Sequence, residues 1–239
     1  MSVTLVSTFS EKNYNDYAKY FLRSAAAYIK KDVKVRIYTD VEYTGLPSHF
    51  ENYILKDSIP ELLEFKKRNK HRPVPQGTKG FIKDAVKFSH KSYAIIHASR
   101  TVDTKRLIWL DADTEFKTYV DKKYLGSKLP KGYFVSYLGR EDKYTETGFL
   151  QFFLNRKSRH FFNKWQWYYD TDEIYNLDGQ LDCHVFDACL KDFPQLARFN
   201  LSPKNAVKNH FNIAFNKYMQ HYKGSDKQKR TLVRRKVFI

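Results

Sequence analysis

Residues 107–113 read Leu107-Ile108-Trp109-Leu110-Asp111-Ala112-Asp113, a short apolar run that stops at two aspartates. Such a run predicts a strand buried on both faces, as in a mainly parallel sheet. Side chains at positions i and i+2 of a strand leave on the same side, so we expect the two carboxylates to lie together where the strand meets solvent. The plain alternative is a polar turn, in which Asp is common.

Paired carboxylates favour a cation. Mg²⁺ and Mn²⁺ take oxygen ligands, and Mg²⁺ sites typically combine one or two carboxylates with phosphate oxygens of a substrate. Asp111 and Asp113 are therefore candidate ligands of Mg²⁺ or Mn²⁺, in a site that also holds a phosphorylated donor.

The segments around this strand predict an α/β domain. Residues 3–9 and 33–40 have the pattern of strands, and residues 15–30 between them form an amphipathic helix. A strand-helix-strand unit this compact implies parallel pairing. Further segments predict helices at 80–97, 158–169 and 181–191, a strand at 133–138 and a sheet edge at 146–154. We therefore predict one domain over residues 1–239, with a mixed, mainly parallel central sheet flanked by helices.

Four polar side chains follow the predicted strands. Ligands of open α/β sheets bind outside the carboxyl ends of the strands. Thr8 and Asp40 end the first two strands, and Asp111 and Asp113 end the central one. We expect all four at one rim, lining a crevice.

The chain is strongly basic, with 43 Lys and Arg against 26 Asp and Glu and a net charge of +17. The excess is concentrated in a C-terminal segment at about 204–239, and a second basic run occupies residues 66–72. Each run alone is also typical of a solvated face. Their sum favours a polyanionic partner such as nucleic acid or an acidic polymer.

Cysteine number, the N-terminus and the apolar stretches bear on where the protein is found in the cell. Two cysteines, Cys183 and Cys189, are too few for a disulfide framework and suggest a reducing compartment. The N-terminus lacks the layout of an export signal, and no apolar stretch reaches the 18 or more residues of a membrane span. We expect a cytoplasmic protein.

A second cluster of site-forming residues lies far downstream, where residues 221–227 read His-Tyr-Lys-Gly-Ser-Asp-Lys. His221 can complete a metal shell begun by two carboxylates. Gly224 lets the backbone approach phosphates, and Lys227 offers a point charge to their oxygens. Taken alone, a histidine such as His221 is more often an ordinary surface residue than a metal ligand.

With these residues the chain resembles the GT-A glycosyltransferases, in particular the glycogenin and galactosyltransferase type. In that family an Asp-x-Asp after a strand and a C-terminal His-x-x-Gly-x-x-Lys bind Mn²⁺ and the donor diphosphate. The resemblance implies that Asp111, Asp113 and His221 hold the metal. It also implies that Ala112, Gly224 and Lys227 contact the donor.

The resemblance extends to the rest of the donor and acceptor site. By position, Thr8 and Asp40 would hold the nucleoside, and the helix before the Asp-x-Asp would contribute Lys79, Asp84 and Lys87. The acceptor side would be formed by Glu146, Thr147 and Gly148. The alternative for Gly148 is a bulge at a sheet edge.

An inverting reaction needs a carboxylate that receives the acceptor proton. The family's Asp-Gln-Asp segment is matched by residues 178–182, so Asp182 is the first candidate and Asp178 the second. The alternative is simple N-terminal charge on the helix near residue 181.

The sequence thus predicts a metal-dependent glycosyltransferase, a hexosyl- or pentosyltransferase that uses a nucleoside-diphosphate sugar. Its acceptor would be polyanionic, with hydroxymethylated DNA as one possibility. Two alternatives stay open: a lipid-linked or capsular glycan as acceptor, and a non-catalytic nucleic-acid-binding protein on a GT-A scaffold.

Overall fold

The computed structural model describes residues 2–74, 76, 80–141, 143–204, 206–224 and 226. Its strands are β1 (Val3–Thr8), β2 (Lys34–Thr39), β3 (Phe50–Ile54), β4 (Arg106–Leu110), β5 (Thr114–Phe116), β6 (Val135–Arg140), β7 (Lys143–Phe153), β8 (Arg198–Asn200) and β9 (Met219–His221). Seven of them form one sheet in the order β3-β2-β1-β4-β7-β6-β8, and β5 pairs with β9 separately.

Helices lie between most of the strands. They are α1 (Glu11–Asn13), a π-helical turn (Tyr14–Ala18), α2 (Lys19–Tyr28), α3 (Leu55–Ser58), α4 (Pro60–Asn69), a 3₁₀ turn (Gly80–Lys83), α5 (Ala85–Thr101), α6 (Lys122–Ser127), α7 (Arg156–Asp170), a second 3₁₀ turn (Glu173–Asn176), α8 (Asp182–Asp192) and α9 (His210–Phe215). Residues of α4, α5, α7 and α8 form one buried cluster, and residues of α2, α6 and α9 form another. The sheet lies between these two layers.

The predicted fold class is confirmed. Strand β1 runs parallel to β2 and to β4, β2 runs parallel to β3, and β6 runs parallel to β8. Strand β7 is antiparallel to both of its neighbours. Strands β1 and β4 are buried along almost their whole length, because helices cover both faces of the sheet.

The prediction that residues 146–154 form a sheet edge is wrong. Strand β7 pairs with β4 on one side and with β6 on the other. Thr145, Glu146 and Thr147 of this strand are buried although they are polar. Glu146 and Thr147 face the site described below.

Among the described residues, no helix is long and apolar enough to cross a membrane. The predicted boundaries of a single domain over residues 1–239 stay a prediction. Part of the C-terminal basic segment, residues 227–239, lies outside the described residues.

Candidate active site and metal centre

The two aspartates lie in the tight turn that joins β4 to β5. The backbone N–H of Asp111 donates to the carbonyl of Gly148 at 3.1 Å, and the N–H of Thr114 donates to the carbonyl of Asp111 at 3.1 Å. The carbonyl of Asp113 accepts from the N–H of Tyr222 at 3.1 Å. These bonds fix the turn, and the expected position at the carboxyl end of β4 is observed.

Strand β9 brings His221 to the same turn. It pairs antiparallel with β5, so that His221 lies opposite Thr114. The side chain of Asn212 holds the backbone of His221 from α9, accepting from its N–H at 2.7 Å and donating to its carbonyl at 3.0 Å. The His221 residue is 5% exposed. Its placement is therefore set by backbone pairing on one side and by an amide clamp on the other.

Asp111, Asp113 and His221 converge. Nε2 of His221 lies 2.6 Å from Oδ1 of Asp113 and 3.7 Å from Oδ2 of Asp111. One ligand atom from each residue can be chosen so that all three lie within 4.8 Å of one another. Two carboxylate oxygens and an imidazole nitrogen are a donor set that suits a divalent cation such as Mn²⁺.

The electrostatics of this cluster also favour a cation. Burial lowers the pKa of His221, but the carboxylates of Asp113, Glu146 and Asp111 outweigh it and raise that pKa to about 9. The imidazole is thus surrounded by negative charge at low solvent exposure. The residues present fit a divalent metal ion on both donor chemistry and charge.

Lys91 of α5 holds the metal cluster and the predicted base together. Its Nζ lies 2.9 Å from Oδ1 of Asp111 and 2.8 Å from Oδ2 of Asp182, and it donates to the carbonyl of Thr147 at 2.7 Å. Burial lowers the pKa of Lys91, but the two carboxylates outweigh it, so that the pKa lies above its usual value. Nε1 of Trp109 also donates to Oδ1 of Asp111, at 2.7 Å. Oδ2 of Asp111 is consequently the oxygen that faces His221.

Sequence reasoning missed Lys91 and chose Lys87 and Asp84 on the same helix. Asp84 caps α5 by accepting from the N–H of Lys87 at 3.0 Å, and the Lys87 side chain is exposed. Lys91 follows Lys87 by one helical turn and therefore lies on the same side of α5, one turn closer to the aspartates. The prediction of Lys87 therefore identified the correct side of α5, although the wrong turn of the helix.

The three predicted acceptor residues line the other side of the cluster. Oε1 of Glu146 lies 2.6 Å from Nζ of Lys223 and 3.8 Å from Nδ1 of His221. Burial raises the pKa of Glu146, but the nearby side chains of His221 and Lys223 outweigh it and lower the pKa to about 2. The hydroxyl of Thr147 donates to Oδ2 of Asp182. A Cβ on Gly148 would lie 2.8 Å from Cε1 of His221.

The two candidate bases differ in position. Asp182 is buried at the first turn of α8 and belongs to the cluster through Lys91 and Thr147. Asp178 is exposed, and its Oδ2 accepts from the hydroxyl of Tyr144 at 3.3 Å. The structure therefore brings Asp182, and not Asp178, into contact with the residues around the metal ligands.

Thr8 and Asp40 lie next to each other at the rim, as expected. The hydroxyl of Thr8 donates to the carbonyl of Tyr38 at 2.8 Å, and Oδ1 of Asp40 accepts from the N–H of Glu11 at 2.7 Å. An aromatic group that sequence reasoning missed adjoins them. It comprises Phe9, Tyr14 and Tyr43, with the Tyr14 and Tyr43 ring centroids 4.9 Å apart.

Tyr17 is a second missed residue. Burial, followed by the negative charges of Asp113 and Asp111, raises its pKa above the usual value, as expected of a phenol near both carboxylates. It sits in the π-helical turn Tyr14–Ala18, and such turns are frequent at functional sites. No sequence signal marks a π-helical turn here.

Two predicted donor residues, Lys79 and Lys227, lie outside the described residues. Gly224 is described and has a left-handed φ of +50°, which favours glycine. A Cβ there would meet no heavy atom of the described residues within 4 Å.

Neither protein-family models nor curated protein sequences match this chain. Several solved structures are similar to it. The apo form of mouse xyloside xylosyltransferase 1 superposes with a TM-score of 0.53 at 10% identity, over 84% of this chain and 86% of that one. The chain has a GT-A fold.

The apo structure of the bifunctional glycosyltransferase WbbM is also similar, with a TM-score of 0.56 at 13% identity. That match covers 93% of this chain and 46% of WbbM, so this chain corresponds to less than half of the larger protein. At such identities the likeness concerns the fold alone.

Proposed function

We propose that the protein is a metal-dependent glycosyltransferase that moves a sugar from a nucleoside-diphosphate sugar to an acceptor hydroxyl. The observation that carries this proposal is the convergence of Asp111, Asp113 and His221 at the carboxyl end of β4. Ligands of open α/β sheets bind at this rim. The fold shared with two structures named as glycosyltransferases supports the same reaction class.

The metal ligands would be Oδ2 of Asp111, Oδ1 of Asp113 and Nε2 of His221. A divalent cation bound there supplies positive charge that stabilises the diphosphate as it leaves. Lys91 and Trp109 hold Oδ1 of Asp111 and so keep Oδ2 turned toward His221. This orientation is built into the chain before any ligand arrives.

The donor would lie along the rim from Asp113 to Asp40. Ala112, Gly224 and Lys227 would contact the diphosphate. Thr8 and Asp40 would hold the nucleoside, whose base can stack on the adjoining rings of Tyr14 and Tyr43. Lys79, Asp84 and Lys87 stay candidates for the donor side.

Asp182 is the proposed base of an inverting reaction. Both of its contacts with described residues, from Lys91 and Thr147, use Oδ2. Oδ1 would accept the proton of the acceptor hydroxyl as that oxygen bonds to the anomeric carbon. The bond from that carbon to the diphosphate breaks, and the diphosphate leaves with the electron pair. Asp178 is the second candidate, and Glu146, Thr147 and Gly148 would bind the acceptor.

The net charge of +17 supports a polyanionic acceptor, of which DNA with hydroxymethylated bases is one example. Binding to duplex DNA measured across a salt series tests this choice. A steep negative slope of log affinity against log salt supports it, and a flat slope favours a lipid-linked or capsular glycan as acceptor.

The reaction class is tested by a donor screen. The protein is incubated with Mn²⁺ and a panel of sugar nucleotides, and free nucleoside diphosphate is measured. We expect slow hydrolysis of one donor, abolished by Asp113→Asn and unaffected by Asp192→Asn, which changes an acid at the far end of α8. Calorimetry with Mn²⁺ alone gives a second readout. Equal Mn²⁺ affinity in the wild type and Asp113→Asn, with no donor hydrolysed, would contradict the proposal and favour a non-catalytic binding protein.

A further inference from the structure

A cavity of about 630 Å³ opens on the rim of the sheet opposite the metal cluster. It is bounded by the end of α5, the chain that enters β4, and the start of α7. Its volume lies in the range typical of small-ligand pockets. Phe162 and Leu154 supply apolar wall, and Ser99 and Thr104 supply hydroxyls.

The lining of this cavity is strongly cationic. Arg100, Lys105, Arg156 and Arg159 line it, and all four are exposed. Asp103 is the one acid in the lining, and its carboxylate is bound by Nζ of Lys34 at 3.0 Å. The acid therefore does not compensate the four cations.

Little else in the described chain compensates these charges. Arg100 donates to the amide oxygen of Asn163 at 2.9 Å, which is a neutral partner. Lys105, Arg156 and Arg159 form no ion pair with any residue that the structure describes. Charges of one sign around a concavity focus the electrostatic field and concentrate ligands of the opposite sign.

The cavity is distinct from the donor site. Lys105 precedes β4 and Asp111 follows it, so the strand separates the two by roughly 20 Å at 3.3 Å per residue. A diphosphate bound at the aspartates does not reach that far. The N-terminal end of α7 does not by itself make the cavity an anion site, because Asn155 already caps this helix by accepting from the N–H of Ser158 at 3.0 Å.

We propose that this cavity binds a small ligand that carries two or more phosphate groups. Arg156 and Arg159 lie one turn apart at the start of α7. Arg100 lines the same cavity from α5, and Lys105 lines it from the residue before β4. Arginine binds phosphate with two parallel hydrogen bonds, and several cationic groups around one concavity favour a ligand with multiple charge over a single phosphate. The proposal is independent of the glycosyltransferase assignment, since it uses none of the residues of that site.

The test is calorimetric titration of the full-length protein with inorganic tripolyphosphate in the presence of EDTA. EDTA removes the divalent metal that the proposed donor site would use to hold a polyphosphate. We expect the double variant Arg156→Gln/Arg159→Gln to bind at least 10-fold more weakly than the wild type, and Lys105→Gln to bind several-fold more weakly. The matched control is Lys157→Gln, an exposed lysine between the two arginines that does not line the cavity. It should stay within about 2-fold of the wild type, as a side chain outside the site should.

Three results would overturn the proposal. The first is no binding of tripolyphosphate by the wild type. The second is an equal loss in Lys157→Gln, which would show attraction to net charge alone. The third is binding of duplex DNA that depends on Arg156 and Arg159 when tripolyphosphate binding does not, which would assign the surface to a nucleic-acid backbone. Circular dichroism of each variant checks folding, and Lys105→Gln keeps the test valid if the double variant does not fold.

Discussion

Gly148 lies directly against the imidazole of His221. A Cβ at Gly148 would come within 2.8 Å of Cε1 and 2.9 Å of Nδ1 of that ring, and within 3.5 Å of Oδ2 of Asp111. The ring has little room to retreat, because it is 5% exposed and Asn212 holds its backbone. The glycine that was assigned to the acceptor side therefore also makes room for a proposed metal ligand.

Gly148→Ala should weaken Mn²⁺ binding by roughly 10-fold to 100-fold, the range found when ligand orientation is disturbed. It should also lower the free energy of unfolding by about 1–3 kcal/mol, as overpacking of a buried site does. Titration with Mn²⁺ and urea unfolding measure the two effects.

The control is Gly126→Ala in α6, where a Cβ would meet no heavy atom within 4 Å. Alanine is the better helix former, so this variant should gain up to about 1 kcal/mol and bind Mn²⁺ like the wild type. Wild-type Mn²⁺ affinity in Gly148→Ala would show that His221 does not serve as a ligand.

Lys91→Met should destabilise the metal-free protein by about 3–5 kcal/mol, because it leaves the buried carboxylate of Asp182 and the half-buried carboxylate of Asp111 without their shared cation. Lys87→Met, an exposed lysine one turn earlier, should change stability by no more than about 0.5 kcal/mol. Urea unfolding in EDTA compares the two.

Adding Asp182→Asn to Lys91→Met should recover part of the loss, because it removes one of the two uncompensated charges. An additive loss in the double variant would mean that Lys91 and Asp182 do not interact energetically.

Much of the sheet was predictable because buried strands leave a local signal. The apolar run at residues 107–110 was predicted as a buried strand and lies within β4, because a short apolar run that ends in charge leaves a clear local signal. The position of β7 inside the sheet was predicted wrongly. Several of its polar residues are buried beside the candidate site, whereas polar residues in a strand usually indicate exposure to solvent.

The site was less predictable than the sheet. It depends on which turn of α5 lies against the sheet and on which distant segments of the chain come together there. Nothing in the pattern of α5 distinguishes Lys87 from Lys91, and the difference is set by packing of the helix on the sheet. The basic cavity is formed by residues near 100 together with residues near 156. The distribution of charge along the sequence does not show that these two segments lie side by side.

Asp182→Asn should reduce the rate of sugar transfer by roughly 10²-fold to 10⁴-fold, the usual contribution of a general base. Asp178→Asn should change it by less than about 3-fold, since that carboxylate is exposed and its hydrogen bond comes from Tyr144, outside the metal cluster. Rates are compared at saturating donor, with Mn²⁺ affinity measured for both variants. A larger loss in Asp178→Asn would reverse the assignment of the base.

His90 should make the protein less stable in mild acid. Burial, followed by the charge of Lys66, lowers its pKa to about 4, against a weaker opposing effect of Asp40. An unfolded histidine has a pKa near 6.5, so between these values the unfolded chain binds the proton more tightly than the folded one. The free energy of unfolding therefore falls as the pH decreases from about 6.5 to 4, by up to about 3 kcal/mol from this residue.

His90→Gln should flatten that part of the pH profile, because glutamine carries no titrating proton. Urea unfolding at pH 7 and pH 5 measures the slope for the wild type and the variant. His160→Gln, which changes an exposed histidine of α7, is the matched control and should leave the slope unchanged. Parallel profiles for the wild type and His90→Gln would mean that His90 titrates in the folded protein as it does in the unfolded chain, and that the acid sensitivity arises elsewhere.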